Sequence, residues 1–313
     1  MTDPVAARYR RFAAAEAAGH SPLYEALALG VAGDAAVLGF LADLPPAKQQ
    51  PNLLFAALRH VAGTPADFPS FRTTLLRQAD AVRAVMLARG TQTNEPARCA
   101  VLLPVLARLP QPLALLEVGA SAGLCLLPDR YGYDYGSHRL GGAPVFACEA
   151  RGGTPLPAAV PQVAWRAGLD LNPIDVRDPD QTGWLETLVW PDQPHRLACL
   201  RAALAVARAA PPSVRRGDLL TGLPALAVEA PAGATLVVFH SAALAYVADP
   251  ASRAAFAAAV RALGAVWVSN EAPGVFPAMA AAPGPRGAFL LAVDGVPVAW
   301  TDPHGAWIDW IGG

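Results

Sequence analysis

Short apolar segments alternate with longer helical patterns from about residue 113 onward. Five of these segments predict buried strands, at residues 113–118, 164–171, 214–217, 235–240 and 266–269. Because strands separated by helices are joined by right-handed crossovers, the pattern predicts a mostly parallel sheet. Residues 288–293 and 296–301 flank Asp294-Gly295, a strong hairpin signal, so we expect an antiparallel C-terminal pair.

Residues 1–112 show helical patterns and no strand pattern. The predicted helices are Val5–Ala18, Leu23–Val31, Ala35–Ala42, Asn52–Val61, Ser70–Arg89 and Pro96–Leu109. We therefore expect an α/β protein in which an all-helical N-terminal region, 1–112, serves as a lid or cap for a Rossmann-like domain, 113–313. Residues 128–165 are irregular and rich in Tyr, Gly and Pro, which predicts an insertion with one β segment at Val145–Ala150.

The composition narrows the class of partner. Charged residues make up 16% of the chain and the formal net charge is −1, which argues against nucleic acid. The four cysteines form no C-x-x-C pair and predict reduced thiols in a cytoplasmic protein. No apolar run approaches the ~20 residues of a membrane span, so we expect no membrane partner. The oligomeric state stays open.

The segment Leu113–Leu124 carries the clearest functional signal. An apolar run ends at Glu117 and is followed by Gly119, Ser121 and Gly123. Small residues let the backbone approach a ligand closely, and the N-terminus of a following helix would offer free N–H groups. The pattern predicts a strand, a tight turn and a helix start that together hold a nucleotide-type cofactor.

Polar residues follow each of the five predicted strands. They are Gly119–Gly123, Asp170 with Asn172, Asp218, His240 with Ser241, and Asn270 with Glu271. Ligands of parallel sheets bind at the carboxyl ends of the strands, near the point where strand order reverses. We therefore expect these groups to meet in one crevice.

These motifs resemble class I S-adenosylmethionine-dependent methyltransferases over residues 113–313. Glu117–Gly123 stands where that family has an E-x-G-x-G-x-G turn, and the closing hairpin resembles its antiparallel sixth and seventh strands. The resemblance implies that Asp170 holds the ribose hydroxyls and that Asp218 lies near the adenine. It implies a methyltransferase-type sheet, S-adenosylmethionine as cofactor and methyl transfer to an unidentified acceptor, for which we prefer a small molecule to a macromolecule.

Nearly the whole chain also resembles an uncharacterised bacterial family with a methyltransferase-like fold. The phrases that carry this resemblance are Thr91-Gln-Thr-Asn-Glu-Pro96, Glu117-Val-Gly-Ala-Ser-Ala-Gly-Leu124, Asp129-Arg-Tyr131, Asp170-Leu-Asn-Pro173, Val189-Trp-Pro191, Phe239-His-Ser241 and Ser269-Asn-Glu-Ala-Pro-Gly274. That likeness implies a fold more than it implies an activity.

Two features depart from the methyltransferase pattern. Ser121 replaces the middle glycine and adds a side chain where backbone approach is tightest. Asp170 lies 47 residues after Gly123, whereas a βαβ unit places its ribose acid ~20 residues on. The insertion can absorb the excess; otherwise Glu149 competes with Asp170 for the ribose role.

Further residues are candidates for the acceptor side and for a lid. His240, Glu271 and Asn270 follow strands at the position that would face the reacting group, with His240 a possible general base. Their alternative role is structural, since a histidine at the end of an apolar strand is usually a bonded core residue. The polar residues Asn94, Glu95 and Arg98, together with His60, are expected to form a lid, although the first two could simply cap the helix after Pro96.

Two other functions remain open. A non-catalytic module could bind S-adenosylmethionine or a nucleotide as a sensor or partner subunit. Gly119–Gly123 also spells G-x-S-x-G, the nucleophile elbow of α/β-hydrolases, with Ser121 as nucleophile and Asp218 then His240, or Asp249 then His304, as later partners. That fold needs strands before the elbow, and the helical first third offers none. The spacing of histidines and acids carries no metal signature, so we expect no metal.

Overall fold

The computed structural model describes residues 3–92, 94–279 and 284–312, and the chain forms two compact units. One unit comprises Met1–Thr93 and Asp180–Ala198, and the other comprises Asn94–Pro179 and Cys199–Gly313. The division thus falls near residue 93, not at 112, and a later segment joins the helical unit. The helix after residue 97 groups with the sheet because all nine of its residues are buried and Tyr135 donates to its Ala100 carbonyl.

Eleven α-helices lie in the described residues. They are α1 Pro4–Phe12, α2 Pro22–Gly33, α3 Ala35–Ala42, α4 Pro51–Ala62, α5 Phe68–Arg77, α6 Ala79–Ala88, α7 Arg98–Leu106, α8 Pro179–Leu188, α9 Pro194–Ala209, α10 Leu223–Ala227 and α11 Pro250–Ala262. No single described helix has the length and apolarity to cross a membrane; α2 and α3 meet those criteria only as a pair bent by 85°.

Side-chain caps set several helix starts. Ser21 accepts the Tyr24 N–H at the start of α2, as its position before proline predicts. The predicted helix from Ser70 to Arg89 is instead two helices, α5 and α6. Asp67 caps α5 with Ser70 as the third residue of a capping box, and the chain leaves helical geometry at Gln78. Gln78 is no helix breaker, so the local sequence carries no sign of this break.

The helical unit is built around buried aromatic rings. Phe55 lies at the centre, with the rings of Tyr9, Phe12 and Tyr24 within 6.1 Å of it. Arg59 donates to the Thr187 and Val189 carbonyls at 2.9 and 2.7 Å and so ties the end of α8 to α4. Such packing of apolar helix faces accounts for most of the stability of helices this short.

The described residues of the other unit contain twelve strands in two sheets. They are β1 Leu113–Val118, β2 Gly132–Asp134, β3 Arg139–Leu140, β4 Val145–Ala147, β5 Glu149–Arg151, β6 Val163–Asp170, β7 Ser213–Arg216, β8 Thr235–Ser241, β9 Val266–Glu271, β10 Phe289–Val293, β11 Val296–Thr301 and β12 Trp307–Trp310. The large sheet has the order β5-β12-β11-β10-β9-β8-β1-β6-β7. Neighbouring strands from β7 through β9 are all parallel, which confirms the predicted mixed α/β class with a large, mostly parallel sheet.

The antiparallel end of the sheet is larger than the sequence predicts. β10 and β11 pair through Asp294 and Gly295, both with positive φ, which confirms the hairpin. β12 then adds to β11, and β5 pairs with β12 in parallel. The predicted β segment 145–150 is therefore two strands in different sheets, because the chain turns at Cys148, whose N–H donates to Asp134 of the small β3-β2-β4 sheet.

One face of the large sheet packs against α11. Leu116, Val238 and Trp267 lie at matching register positions in adjacent strands and bury their side chains with Phe256 and Val260 of that helix. All five side chains are fully buried, so they form the centre of the core. Each such side chain stabilises the fold by roughly 1.5–3 kcal/mol.

Candidate functional site

The carboxyl ends of the parallel strands share one edge of the sheet. From β1 the chain moves outward to β6 and β7, then crosses back to β8 and β9 on the other side of β1. Strand order thus reverses at β1, and in open parallel sheets the crevice at such a reversal is where ligands bind. The five groups of polar residues predicted from the sequence all lie in the last residues of strands that end at this edge or directly after them.

The turn after β1 is left-handed at three positions. Gly119 and Gly123 have φ of 71° and 69°, and Ser121 has φ of 50°. A side chain at Gly119 would overlap the Ala243 Cβ at 2.4 Å, so glycine is required there by both conformation and space. Ser121 holds a conformation that costs a residue with a side chain roughly 1–2 kcal/mol, and such strain concentrates at functional sites.

The predicted helix start after this turn is wrong. The chain forms only two short 3-10 turns, Leu124–Leu126 and Pro128–Arg130. The Gly123 N–H donates to the Ala120 carbonyl, and the Leu124 N–H donates to Asn94 Oδ1. These N–H groups are therefore already engaged within the protein, and Pro128 prevents a helix from continuing through the segment. The segment after β1 therefore offers no α-helix N-terminus to a ligand.

Asp170 joins β6 to the turn. Its Oδ2 accepts the Ser121 N–H at 2.8 Å and its Oδ1 accepts the Asn172 N–H at 2.7 Å. The side chain is half-buried, and each oxygen keeps capacity for a further bond. Glu149, the competing candidate, is an exposed residue of β5 at the opposite end of the sheet, where it pairs with Arg151. The geometry therefore favours Asp170 as the acid beside the turn.

The part of this edge that follows β6 and β7 is open to solvent. Asp218 is exposed and its Oδ1 accepts the Leu220 and Thr221 N–H groups, so it caps the turn after β7. Asn172 is exposed and accepts from the Arg216 guanidinium. Leu171, which no sequence motif marks as a site residue, leaves 63% of its surface exposed between Asp170 and Asn172. An apolar side chain between polar ones is a surface on which a flat ring can pack.

Glu117 is buried directly before the turn. Burial raises the pKa of its carboxyl well above the ordinary value, the Cys125 thiol adds to the rise, and the Arg98 guanidinium opposes it. Its Oε2 has no hydrogen-bond partner among the described residues. Surroundings of this kind favour the neutral form of a carboxyl over its charged form.

His240 is fully buried and both of its ring nitrogens are engaged. Its Nδ1 lies 2.8 Å from Glu271 Oε1, and its Nε2 lies 3.0 Å from Trp267 Nε1. An indole N–H only donates, so His240 Nε2 accepts and Nδ1 carries the proton toward Glu271. With no nitrogen open to a ligand, His240 is arranged as a structural residue, and the geometry gives no support to its predicted role as a base.

Glu271 organises the turn after β8. Its Oε1 accepts the Ala243 and Leu244 N–H groups at 2.9 Å in addition to the bond from His240. Burial raises the pKa of Glu271, but the hydrogen bond and electrostatic attraction of His240 and the two N–H groups lower it, and the net shift is downward. The same turn holds Ala242 with φ of 55°. Strained turns thus follow both β1 and β8, the two strands at the reversal.

Asn270 is also fully buried and bonded. Its Nδ2 donates to Ser241 Oγ at 3.0 Å, and its Oδ1 accepts from Thr301 Oγ1 at 2.7 Å. The side chain therefore links the ends of β8, β9 and β11. Like His240, Asn270 supports the edge from inside through side-chain bonds, whereas Glu271 keeps one buried oxygen, Oε2, without a hydrogen-bond partner among the described residues.

The predicted lid residues of the sheet unit form a fixed brace. Asn94 Nδ2 donates to the Ala120 carbonyl at 3.1 Å, and the side chains of Glu95 and Arg98 are buried. Arg98 donates to the Ser241 carbonyl, which anchors α7 to the end of β8. A lid must move away to admit a ligand. Asn94 is instead bonded to the turn after β1, and Arg98 is bonded to the end of β8. Thr93 of the same phrase lies outside the described residues.

Three sequence predictions remain to be compared with the structure. They are a lid role for His60, a hydrolase with Ser121 as nucleophile, and the expectation of no metal site. His60 is an exposed residue of the helical unit, with its ring edge against Trp184. Ser121 is buried and its Oγ has no hydrogen-bond partner among the described residues, so no imidazole is held there as the base of a nucleophilic serine. Within residues 3–92, 94–279 and 284–312, no three His, Cys, Asp or Glu side chains are grouped to hold a metal ion.

Comparison with known proteins identifies one family. A family described as an uncharacterised protein conserved in bacteria (DUF2332) matches residues 6–310. No curated protein and no solved structure matches the chain. The match covers residues of both compact units.

Proposed function

Since the chain belongs to the DUF2332 family of bacterial proteins, we propose that it binds S-adenosylmethionine at the carboxyl edge of β1, β6 and β7 and transfers its methyl group to a small molecule. The family carries no assigned activity. The proposal is therefore supported by the site itself and by the motif resemblance described above.

The observation that carries this proposal is the bond from the Ser121 N–H to Asp170. It joins the acid at the end of the second parallel strand to the left-handed turn after the first. A carboxylate at that position, with lone pairs still available, suits the two adjacent hydroxyls of a ribose, as in other nucleotide-binding sheets. Asp170 is only half-buried, so a ligand can reach it from the edge.

Other groups at the edge fit the same ligand. Gly119 is exposed and bare of a side chain, so the backbone can be approached closely. Leu171 offers an apolar surface beside Asp170 for an adenine ring, and Asp218 lies one strand further along. Ser121 Oγ and Glu117 Oε2 are buried polar atoms without partners in the described residues, as expected of groups that a ligand or water completes.

The protein's contribution to such a reaction is positional. When bound, S-adenosylmethionine supplies an electrophilic methyl group, and transfer needs the acceptor in line with it. Asp170 would fix the ribose, and Leu171 would set the plane of the base. The strained turns after β1 and β8 hold the backbone where the two reactants would meet.

A second candidate function is binding without turnover. It is favoured by one observation: His240, Asn270 and Glu271, the predicted acceptor-side residues, are all buried and bonded within the protein. A sensor needs a binding edge and no base. Production of S-adenosylhomocysteine over hours, measured with protein that binds the cofactor, separates the two functions.

Isothermal titration calorimetry with S-adenosylmethionine and S-adenosylhomocysteine tests the binding site. We expect Asp170→Ala to weaken binding about 100-fold, because two hydrogen bonds to a charged group contribute roughly 3 kcal/mol. Asp175→Ala is the matched control, since Asp175 is exposed and pairs locally with Arg177. Absence of binding to the wild-type protein at millimolar ligand contradicts the proposal.

A further inference from the structure

A small cavity lies beside the end of β9, where the sheet changes from parallel to antiparallel pairing. It has a volume of about 180 Å³, which includes its opening to solvent. Ser269 and Glu271 of β9 line it, together with Leu290 of β10 and with Phe276 and Met279 of the segment after β9. Among the described lining residues, only Ser269 and Glu271 carry polar side chains. The side chains that line the cavity are therefore apolar except along β9.

The two carboxyl oxygens of Glu271 have different surroundings. Oε1 accepts three hydrogen bonds, from His240 Nδ1 and from the Ala243 and Leu244 N–H groups. Oε2 is buried and has no hydrogen-bond partner among the described residues. The side chain is only 3% exposed, so bulk water does not complete the missing bonds. A carboxylate oxygen has two lone pairs, and Oε2 therefore has capacity for a donor from a bound group.

This buried carboxylate also lacks a positive partner. Burial raises the pKa of Glu271, but its bonds from His240 and from the Ala243 and Leu244 N–H groups lower it further, so the carboxyl is ionised near neutral pH. His240 supplies one N–H and no full charge, because its Nε2 accepts the Trp267 indole N–H. No described lysine or arginine forms an ion pair with Glu271. Since buried charges are normally paired, the site holds a negative charge that awaits a cation.

We propose that this cavity binds the ammonium group of a small primary amine, with Glu271 Oε2 as its anionic acceptor. An ammonium group brings the missing positive charge and presents three N–H donors. It is about as large as a water molecule, and the free space in the cavity accepts one group of that size. Ser269 lies two positions before Glu271 on β9, so both side chains are on the same face and the hydroxyl offers a second acceptor.

The other lining residues restrict the ligand further. Phe276 and Leu290 offer apolar surface to a methyl group or short carbon chain, and an aromatic ring attracts a cation that lies over its face. Calcium and magnesium ions take roughly six or more oxygen ligands, whereas only two polar side chains among the described residues line the cavity. A monovalent amine therefore fits the cavity better than a hard metal ion does.

This site is distinct from the proposed cofactor site. Ala243 contacts both: its N–H donates to Glu271 Oε1, and its Cβ would lie 2.4 Å from a Cβ added at Gly119. The amine therefore binds on the β9 side of the turn after β8, whereas S-adenosylmethionine is proposed to bind on the β1 side. Because the inference goes beyond methyl transfer, its test requires no S-adenosylmethionine.

Titration of the wild-type protein with methylammonium chloride, followed by ¹H–¹⁵N NMR, tests the site. We expect saturable shifts of the Ala272, Phe276 and Leu290 amide signals, measured against sodium chloride at equal ionic strength. Tetramethylammonium has the same charge but no N–H donor and exceeds the free space, so it should bind at least about tenfold more weakly. If methylammonium shifts these signals no more than sodium chloride does, or binds no better than tetramethylammonium, the proposal is wrong and water alone completes Oε2.

Two variants test the role of the lining side chains. Glu271→Gln keeps an acceptor for the three protein donors but removes the charge, so methylammonium binding should weaken roughly 10–100-fold. Glu229→Gln is the matched control and should bind like the wild type, because Glu229 is exposed and pairs with Arg215. Ser269→Val fills part of the cavity and keeps Glu271, so it should weaken binding at least about tenfold, even if Glu271→Gln fails to fold. Wild-type affinity in either variant would overturn the proposal.

Discussion

Glu271→Ala removes three hydrogen bonds with one substitution. Oε1 of this buried side chain accepts from His240 Nδ1 and from the N–H groups of Ala243 and Leu244, at 2.8, 2.9 and 2.9 Å. Hydrogen bonds to charged groups contribute roughly 1.5–3 kcal/mol each, and a buried donor left without a partner is costly. Because the three share one acceptor, we expect a combined loss of about 4 kcal/mol in the free energy of unfolding.

Glu271→Gln separates the hydrogen bonds from the charge. Its amide oxygen can accept the same three bonds, but a neutral acceptor forms weaker ones, so we expect a loss of about 1–2 kcal/mol. Urea denaturation of both variants measures the difference. Hydrogen exchange at Ala243 and Leu244 should accelerate strongly in Glu271→Ala and modestly in Glu271→Gln.

The loss of stability at low pH provides a second test of the Glu271 carboxylate. The pKa of Glu271 is lowered in the folded protein, so its stabilising effect is complete above the unfolded value of about 4.5 and is lost as pH falls through the folded pKa. Wild-type protein should therefore lose more stability than Glu271→Gln below that value. If Glu271→Ala unfolds within 1 kcal/mol of the wild type, these bonds do not hold the turn after β8.

Three further substitutions test other parts of the edge. Ser121→Gly should raise the free energy of unfolding by about 1 kcal/mol, because it relieves a left-handed residue and removes a buried hydroxyl without a partner; a lower melting temperature would refute this. Because burial raises the pKa of Glu117, ionising its carboxyl costs the folded protein stability as pH rises above the unfolded value. The free energy of unfolding of Glu117→Gln, measured in urea, should therefore exceed that of the wild type by an amount that grows from pH 5 to pH 8. A pH-independent difference would show that Glu117 is not buried in neutral form. Gly305→Ala should cost about 2 kcal/mol or more, since the new Cβ meets the Ala97 carbonyl, and wild-type stability would mean that the turn after β11 is loosely packed.

The sequence predicts the parallel half of the sheet well because its signals are local. Apolar runs such as Thr235–Ser241 predict buried strands. The order of residues along the chain then shows which polar residue stands at the end of each strand. Asp170 could therefore be placed beside the Gly119 turn without coordinates. The strand β12 escaped prediction, and β5 was predicted only as the end of the single segment 145–150. Both are short, and most of their residues are only partly buried or exposed.

The roles of the polar residues depend on long-range packing that no local pattern encodes. His240 is a structural residue because Trp267 and Glu271, 27 and 31 positions away, occupy its two nitrogens. The turn after β11 lies against the start of α7 because Gly305 leaves room for the Ala97 carbonyl, a contact between segments about two hundred residues apart.

A crystal of the protein soaked with S-adenosylhomocysteine would show whether the cofactor binds at this edge. We expect the ribose hydroxyls within hydrogen-bond distance of Asp170 and the adenine against Leu171, at the carboxyl edge of β1 and β6. Ligand density elsewhere on the protein, with Asp170 still bonded only to the Ser121 and Asn172 N–H groups, would contradict it.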